Sequence, residues 1–417
     1  EKFPIMVSGE SGNVAKLTLD KCKITVIGSE GTGSEGGAEG YGVYAAKYSK
    51  VTSGEGVTIT AGYSAISGNG QNPGVDVTIT GGTYESKNYA AIYFPCTGKL
   101  TITGGEFIGL SGIEIRAGDA YISNAKISVT GNSETPLPKN DANKFRSDVP
   151  TPWGMGIAIL DHNSYAVTKN EANKTSYNDI NVVIDNVTFN DDANFDIYVG
   201  KHLLDQNTTT TGTFVQNDAK TLHDINVTVN GVDFKGKGLY LYGANDVTIT
   251  NCNFTDITAS VDTSIDVNAI YLKDCRGNLL ISSNEIKISS NEIKTETENV
   301  SNCRRGIYIY NCDSPNISII YNKITNVEFN AIQIQIPNYT QLTLEPNLYI
   351  SNNKISEWDA DNDGVSSGNT NNPYAGGRAV RIDIHNSYRA TIFNNTFSKS
   401  YDSGVNFVSD LGSSTSN

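Results

Sequence analysis

Short segments in which apolar and other residues alternate recur along this chain. At 306–310, Ile307 and Ile309 alternate with Tyr308 and Tyr310, and a second short strand and an Asn before an apolar residue follow. Alternation with a period of two predicts a strand with one buried face and one outward face. We therefore expect the two isoleucines inside the protein and the two tyrosines outside.

The same repeat recurs along nearly the whole sequence. Each copy starts with a small residue that is followed by an apolar, an outward and a second apolar position. These starts are Gly42, Ala65, Ala91, Gly112, Gly156, Asp196, Gly238, Ala269, Gly306, Ala331, Ala379 and Gly404. The shortest spacings are roughly 21 to 26 residues, and the longer ones fit the same repeat with an insertion. Such a period, with two or three short strands per repeat, is typical of a β-solenoid, in which each strand pairs in parallel with its equivalents in neighbouring coils.

The pattern resembles the right-handed parallel β-helix, or pectin-lyase-like, superfamily over nearly the whole chain. The resemblance implies an all-β, right-handed parallel β-helix (β-solenoid) of about twelve coils with loop insertions. A β-sandwich is the alternative, but it requires hairpin turns between antiparallel strands. The superfamily implies an architecture and no single activity, because one fold carries many functions.

Turn composition divides the chain into four segments. Residues 1–132 use Gly-Gly turns and predict compact coils, and 133–153 is a Pro-rich insertion or linker. Residues 154–410 use Asn in their turns, contain more Tyr and predict coils that continue the same rod, and 411–417 is a Ser-rich flexible tail. We favour one continuous rod because the repeat resumes directly at Gly156.

Composition restricts the partners and the location. Of 417 residues, 40 are Gly and 22 are Tyr, and the net charge is −14. We expect no nucleic-acid partner, because phosphate binding needs a basic face. No apolar run reaches membrane-spanning length, so we expect no membrane insertion. The lack of a signal peptide at Glu1 predicts a fragment of a secreted protein that works outside the cell or at its surface.

Aligning the repeats places equivalent residues in columns, and one inward column is polar. The later repeats carry Asn284, Asn322, Asn353 and Asn395 in this column. Buried amides need hydrogen-bond partners, and amides stacked from coil to coil supply them to one another. We therefore predict an internal Asn ladder.

A second column contains Cys275 and Cys312 in adjacent coils. They are the expected disulfide pair if the protein meets an oxidising compartment. The other cysteines are expected to be free, and none has the spacing of a zinc site.

An outward column is rich in tyrosine and predicts a ligand-binding face. The tyrosines in this column and in the next outward one are Tyr198, Tyr240, Tyr242, Tyr271, Tyr308 and Tyr310. Six exposed rings in a row would form a large apolar patch that suits stacking against the sugar rings of a linear glycan. The alternative is that the tyrosines only stabilise the strands by cross-strand packing.

The segment 359–364 resembles the first half of a calcium loop. Asp359, Asp361 and Asp363 occupy positions one, three and five, and Gly364 occupies position six. Position twelve is Thr370 where such loops carry a bidentate Glu, so calcium binding needs another ligand. The alternative is a solvated acidic loop without metal.

Two groups of charged residues are candidates for catalysis. Arg381, Asp383 and His385 lie in one repeat, together with Arg378. A lyase needs a base and a cation that neutralises the uronate, whereas a glycoside hydrolase needs two carboxylates across a groove. The second group lies in the repeat that starts at Gly112 and consists of Glu114, Arg116 and Asp119. Ordinary surface charge is the alternative for both groups.

Three functions remain open from the sequence. The first is an adhesin-like extracellular or cell-surface protein that binds carbohydrate or a surface partner through the Tyr-rich face. The second is a polysaccharide lyase or glycoside hydrolase that acts on an extracellular polysaccharide. The third is a structural stalk that presents another domain.

Overall fold

The computed structural model describes a defined part of the chain. The described residues are 4–26, 40–68, 73–131, 154–160, 179–190, 193, 195–200, 224–235, 238–255, 257, 268–287, 305–327, 329–336, 345–358, 377–398 and 404–408. These residues form strands and turns, and no helix occurs among them. No helix in this part of the chain is therefore long and apolar enough to cross a membrane.

Three parallel sheets contain all the strands of the described residues, and successive strands join the three sheets in turn. Numbered in chain order, the strands of sheet 1 are β1 (Ile5–Val7), β4 (Val43–Ala45), β7 (Ile66–Gly68), β10 (Ala90–Phe94), β13 (Ser111–Ile115), β16 (Met155–Leu160), β19 (Phe195–Gly200), β22 (Leu239–Tyr242), β25 (Asn268–Lys273), β28 (Arg305–Tyr310), β31 (Ile332–Ile336), β34 (Val380–Ile384) and β37 (Val405–Val408).

Sheet 2 follows sheet 1 in every coil. Its strands are β2 (Ala15–Leu19), β5 (Ser49–Ser53), β8 (Pro73–Ile79), β11 (Thr97–Ile102), β14 (Asp119–Ser123), β17 (Ile180–Asp185), β20 (Ile225–Asn230), β23 (Val247–Thr250), β26 (Leu279–Ser282), β29 (Asn316–Ile320), β32 (Asn347–Ser351) and β35 (Arg389–Phe393).

Sheet 3 completes each coil. Its strands are β3 (Lys23–Val26), β6 (Thr58–Ala61), β9 (Thr83–Ser86), β12 (Gly105–Gly109), β15 (Ala125–Val129), β18 (Thr188–Phe189), β21 (Asp233–Lys235), β24 (Asn253–Thr255), β27 (Glu285–Lys287), β30 (Lys323–Val327), β33 (Lys354–Trp358) and β36 (Thr396–Ser398).

This architecture is a right-handed parallel β-helix, as the repeat predicts. The chain divides into two compact units, Glu1–Thr228 and Val229–Asn417, which we call the first and second unit. The predicted insertion or linker at 133–153 lies outside the described residues, so its role stays a prediction.

Alternation within each strand places the apolar side chains inside. In β28, Ile307 and Ile309 are fully buried, as expected from their positions. Aromatic residues also stack between coils in the interior, with the rings of Phe234 and Phe254 parallel at 4.4 Å. Parallel strands of successive coils lie about 4.8 Å apart, which is close to the distance at which flat rings stack.

The corner between sheets 2 and 3 uses one residue with a positive φ in coil after coil. These residues and their φ angles are Lys21 (43°), Asn124 (51°), Asn186 (50°), Asn251 (54°), Ser283 (59°), Tyr321 (58°), Asn352 (57°) and Asn394 (51°). Asn tolerates this left-handed conformation better than most residues because its short polar side chain bonds locally. The frequency of Asn at this position therefore follows from the turn geometry.

The predicted Asn ladder is present beside this corner. The side-chain oxygen of Asn322 accepts hydrogen bonds from the backbone N–H and the amide of Asn284, at 3.1 and 3.0 Å. Asn322 donates in the same way to Asn353, at 2.9 and 3.0 Å, and Asn353 donates to Asn395. The amide of Asn322 also donates to the carbonyl of Ile281 in the preceding coil, at 3.0 Å.

We predict that Asn322→Ala lowers the free energy of unfolding by about 2–4 kcal/mol, because it leaves buried donors and acceptors without partners. Asn322 is 1% exposed, whereas Asn395 at the end of the ladder is half-buried and within reach of water. Asn395→Ala is therefore the matched control, with a smaller expected loss. Urea titrations followed by circular dichroism measure both. Equal losses at the two positions would contradict a cost that arises from burial.

Candidate functional site

The outer face of sheet 1 in the second unit carries two aligned columns of side chains. The register pairs Tyr240 with Tyr271, Tyr271 with Tyr308, Tyr308 with Gln333, and Gln333 with Arg381. The second column, in the same order, is Tyr242, Lys273, Tyr310, Gln335 and Asp383. The predicted alignment of these residues in the second unit is therefore confirmed.

The prediction that these tyrosines are exposed is wrong for most of them. Tyr198, in the first unit, is 1% exposed, and Tyr240, Tyr242 and Tyr308 are 6% to 8% exposed. Tyr271 and the last tyrosine of the second column, Tyr310, are partly buried.

The physical reason is that the rings pack against one another. Tyr271 and Tyr308 stack in parallel, with 5.0 Å between ring centroids and 3° between planes. Tyr240 meets Tyr271 edge to face at 4.9 Å. Their burial raises the pKa of the Tyr271 hydroxyl well above its ordinary value. A face of each stacked ring is occupied by a neighbouring ring, so this row is not a flat platform for sugars.

Arg305 packs over the ring of Tyr308 in the same column. Its guanidinium lies 4.4 Å from the ring centroid of Tyr308, a distance at which a cation is attracted to the ring face. Its Nε donates to Oε1 of Gln333 at 2.6 Å, and the amide of Asn330 donates to the same oxygen at 2.8 Å. Gln333 is thereby fixed at the base of the site, at 4% exposure.

Gln335 connects this base to the second column. Its Oε1 accepts hydrogen bonds from the Tyr308 hydroxyl at 2.9 Å and from the amide of Gln333 at 3.2 Å. The side chain of Gln335 is only half-buried. One network of hydrogen bonds therefore links buried residues to a partly open surface.

The first catalytic candidates, Arg381, Asp383 and His385, are brought together on β34 and the residue after it. Arg381 Nη2 lies 3.3 Å from Asp383 Oδ2, and His385 Nε2 lies 3.2 Å from Asp383 Oδ1. Asp383 is buried, whereas the side chains of Arg381 and His385 are 26% and 18% exposed. Arg378 is buried nearby, and its Nη1 donates to the carbonyl of Gly377 at 3.0 Å.

Half-buried side chains define the accessible part of this face, which we call the polar strip. Its members are Lys273, Tyr310, Gln335, Arg381 and His385. The strip crosses β25, β28, β31 and β34, which is about 14 Å at the usual strand spacing. It offers two cations, one imidazole, one amide and one aromatic ring, and these groups recognise carboxylates and hydroxyls.

A second carboxylate lies at one end of the polar strip. Asp274 follows β25 with φ 53°, and it accepts a hydrogen bond from the amide of Asn311 in the next coil. Burial raises the pKa of Asp274, although the contacts with Asn311, Lys273, Arg276 and Tyr242 act in the opposite direction.

The two carboxylates of this face are too far apart to act as a pair. Asp274 and Asp383 belong to coils three steps apart, which is about 14 Å. Glycoside hydrolases place their two carboxyl groups roughly 5 to 9.5 Å apart. The described residues of the polar strip therefore do not supply a hydrolase pair.

The second group of catalytic candidates is only partly brought together. In the first unit, Arg116 Nε lies 2.5 Å from Glu114 Oε1, and both side chains are nearly buried. The predicted third member, Asp119, lies on the outer face of sheet 2, where it accepts a hydrogen bond from Asn181 at 2.9 Å. A strand turn separates it from the pair, so the three residues do not form one site.

A tyrosine cluster surrounds this ion pair, and the sequence reasoning missed it. Tyr63 and Tyr89 stack at 4.4 Å, and Tyr41 and Tyr93 meet them edge to face. Burial, the largest cause, raises the pKa of Tyr89, with Glu114 adding to the effect. The available signal was a Tyr one or two residues before the small residue in three successive repeats.

The calcium-loop aspartates and the cysteine pair are the remaining predictions from the sequence. Asp359, Asp361 and Asp363 lie outside the described residues, so calcium binding there stays a prediction. Among the described residues, no cluster of three His, Cys, Asp or Glu side chains is placed to hold a metal ion. Cys275 and Cys312 are adjacent, as predicted, and are free thiols, with the Cys275 N–H 3.3 Å from Cys312 Sγ.

We predict that Asp274→Asn stabilises the protein at neutral pH. The raised pKa means that the folded protein holds the Asp274 proton more tightly than the unfolded chain does. That contribution is fully present below the ordinary pKa of Asp and is lost as the pH rises through the folded pKa. Asn also suits the positive φ and still accepts the bond from Asn311.

Thermal unfolding of wild type and Asp274→Asn at pH 7 and near pH 3 tests this prediction. The variant should unfold at a higher temperature at pH 7, and the difference should shrink at the acidic pH. A variant that is less stable than wild type at pH 7 would show instead that Lys273 and Arg276 hold the carboxylate in its charged form.

Comparisons with protein-family models, with curated proteins and with solved structures found no match to this chain.

Proposed function

We propose that this protein binds an acidic polysaccharide along the polar strip of its second unit. The observation that carries the proposal is a local excess of positive charge on a chain whose net charge is −14. The described face holds four cationic side chains, namely Lys273, Arg305, Arg378 and Arg381, against the two carboxylates Asp274 and Asp383. Three of the chain's eight arginines are among them.

The strip has the chemistry that recognises a uronate-bearing chain. Arg381 presents a guanidinium that can bind a sugar carboxylate through two parallel hydrogen bonds. Gln335 and the hydroxyl of Tyr310 suit sugar hydroxyls, which both donate and accept. The buried network through Gln333 and Arg305 holds Gln335 in place before the ligand arrives, which lowers the entropy cost of binding.

The acidic remainder of the protein favours this one orientation. Negative charge elsewhere repels an acidic polymer over about one Debye length, roughly 8 Å at physiological salt. A polyanion therefore approaches most favourably at the strip, and added salt should weaken the binding.

The proposal extends to the class and the location of the protein. We assign the chain to the pectin-lyase-like superfamily of β-helices and place it outside the cell or at its surface. The parallel three-sheet architecture and the internal Asn ladder support the first assignment. A polymeric glycan ligand supports the second, because such polymers lie outside cells.

A lyase acting on the same polymer is the second candidate. The position of His385 favours it, because the imidazole, the commonest general base, lies directly after the strand that carries the cation Arg381, with its Nε2 3.2 Å from Asp383 Oδ1. Arg381 would neutralise the uronate carboxylate while His385 removes the C5 proton; the C5–H electron pair then forms the C4=C5 double bond, the C4–O bond breaks, and the leaving oxygen takes a proton from water.

Binding measurements with matched arginine variants test the proposal. We expect Arg381→Gln to weaken binding to polygalacturonate or alginate by about tenfold or more, because one charge-assisted contact is lost. Arg389→Gln is the control, because Arg389 is an exposed arginine of sheet 2, paired with Glu345. Calorimetry at two salt concentrations measures both variants. Equal affinities of wild type and Arg381→Gln for the acidic polymer would refute the proposal.

An absorbance assay separates binding from lyase activity. β-Elimination leaves an unsaturated uronate that absorbs in the ultraviolet, whereas binding alone leaves the polymer unchanged. We expect no such product from wild type if the protein only binds. Product that disappears in His385→Gln, with polymer affinity retained, would establish the lyase instead.

A further inference from the structure

A second face of the second unit exposes aromatic rings. Tyr321, Tyr349 and Phe393 are 60%, 42% and 44% exposed, and they lie on or beside the outer face of sheet 2. We call them, together with the half-buried Ile320, the aromatic patch. Unlike the tyrosines of sheet 1, these rings leave a large part of their surface open to solvent. Neighbouring exposed rings of this kind mark interaction surfaces more often than idle ones.

The backbone conformation of Tyr321 is one that does not favour a tyrosine. Its φ of 58° is unfavourable for a bulky aromatic residue. The same corner carries Asn251, Asn352 and Asn394 in other coils, and Asn adopts this conformation at lower cost. The side chain of Tyr321 offsets little of that cost by packing, since most of it is exposed. Strain that the fold does not need points to a function of the side chain.

The members of the patch come from three successive coils. The register places Ile320 beside Ser351 and Ser351 beside Phe393, so Tyr321 follows directly on this column. The rings of Tyr349 and Phe393 meet at 76° with centroids 5.4 Å apart, and the two residues stay 42% and 44% exposed. Three coils span about 10 Å, which is room for roughly two sugar rings.

Uncharged hydrogen-bonding groups border the rings. The amide of Asn316 donates to Asn278 at 2.8 Å, and the amide of Asn347 donates to Asn316 at 3.3 Å, so the amides form an outer ladder. All three are exposed and retain capacity for a ligand. Of the outward residues on β29, β32 and β35, Arg389 alone is charged, and it pairs with Glu345 at 3.4 Å.

We infer that the aromatic patch is a binding site for a neutral saccharide chain. The C–H faces of pyranose rings pack on open aromatic faces, and the ladder amides bond to sugar hydroxyls. An acidic sugar gains no ion pair here. Among the described outward residues of these three strands the cation is Arg389, and it is already paired. The site is separate from the polar strip in both sheet and ligand chemistry, so it does not rest on the function proposed for that strip.

Two variants test the inference without disturbing the fold. Tyr321→Asn installs the residue that neighbouring coils use at the corner, so stability should stay equal or rise. Tyr349→Thr installs the residue of the next coil, since Tyr349 pairs in register with Thr391. The matched control is Tyr121→Thr, an exposed tyrosine of sheet 2 in the first unit whose register partner is Thr101.

The probes are cellohexaose, mannohexaose and laminarihexaose, titrated by calorimetry into the full chain. We expect wild type to bind at least one of them, and the double variant Tyr321→Asn/Tyr349→Thr to lose about tenfold or more in affinity. The control Tyr121→Thr and the strip variant Arg381→Gln should leave that affinity unchanged.

Three outcomes would overturn the inference. One is that wild type binds none of the three hexasaccharides. Another is that the double variant binds them as well as wild type does. The last is that Tyr321→Asn lowers the unfolding temperature, which would give the tyrosine a structural role. Sedimentation velocity at several concentrations adds an independent check, because a monomer–dimer equilibrium abolished by the double variant would identify the patch as a contact between two copies.

Discussion

The parallel register between coils is the constraint on which the other features of this protein depend. Each strand bonds to its equivalents in the neighbouring coils, so residue types repeat in columns about 4.8 Å apart. Buried Asn side chains strengthen this register, because the side-chain oxygen of Asn322 accepts from Asn284 and its amide donates to Asn353 when the three residues are in line. A slip by one residue would place every inward side chain outside, at a cost no surface contact offsets.

The same spacing explains why the two aromatic surfaces differ. When tyrosines occupy one column in successive coils, as Tyr271 and Tyr308 do, their rings fall at stacking distance and cover one another. When aromatic residues are staggered between columns, as Tyr349 and Phe393 are, the rings meet at an angle and both remain exposed. A regular array of tyrosines therefore contributes to stability, while an irregular one leaves surface for a ligand.

The sequence predicted the fold well because local alternation and the period are direct consequences of the coil geometry. It placed Ile307 inside and Asn322 in the ladder, and it aligned Tyr308 with Gln333. Exposure was mispredicted because outward position in a strand says nothing about what packs on the outer face. Arg305 shows this, since it covers the ring of Tyr308 from a position just before the small residue of its repeat.

Residues near in sequence were also assigned to the wrong neighbours. Glu114 and Asp119 are five positions apart, yet the chain turns between them from sheet 1 to sheet 2. Conversely, the contact between Arg305 and Gln333 joins residues 28 positions apart. A site on a solenoid is assembled across coils, so its members are found by aligning repeats and not by reading along one of them.

The hydrogen bonds between the Asn residues of the ladder all run in one direction along the stack of coils, so the two sides of each coil are unequal. The backbone N–H of Asn284 donates to the side-chain oxygen of Asn322, which comes later in the chain. A chain cut after the coil of Asn284 would leave that N–H without its acceptor. On the other fragment the Asn322 oxygen, an acceptor that tolerates partial satisfaction, is freed, and the Asn322 amide loses Ile281 but keeps its bond to Asn353. During synthesis the N–H of Asn284 therefore lacks its acceptor until the next coil has emerged from the ribosome. A pause between these coils would prolong that unbonded state.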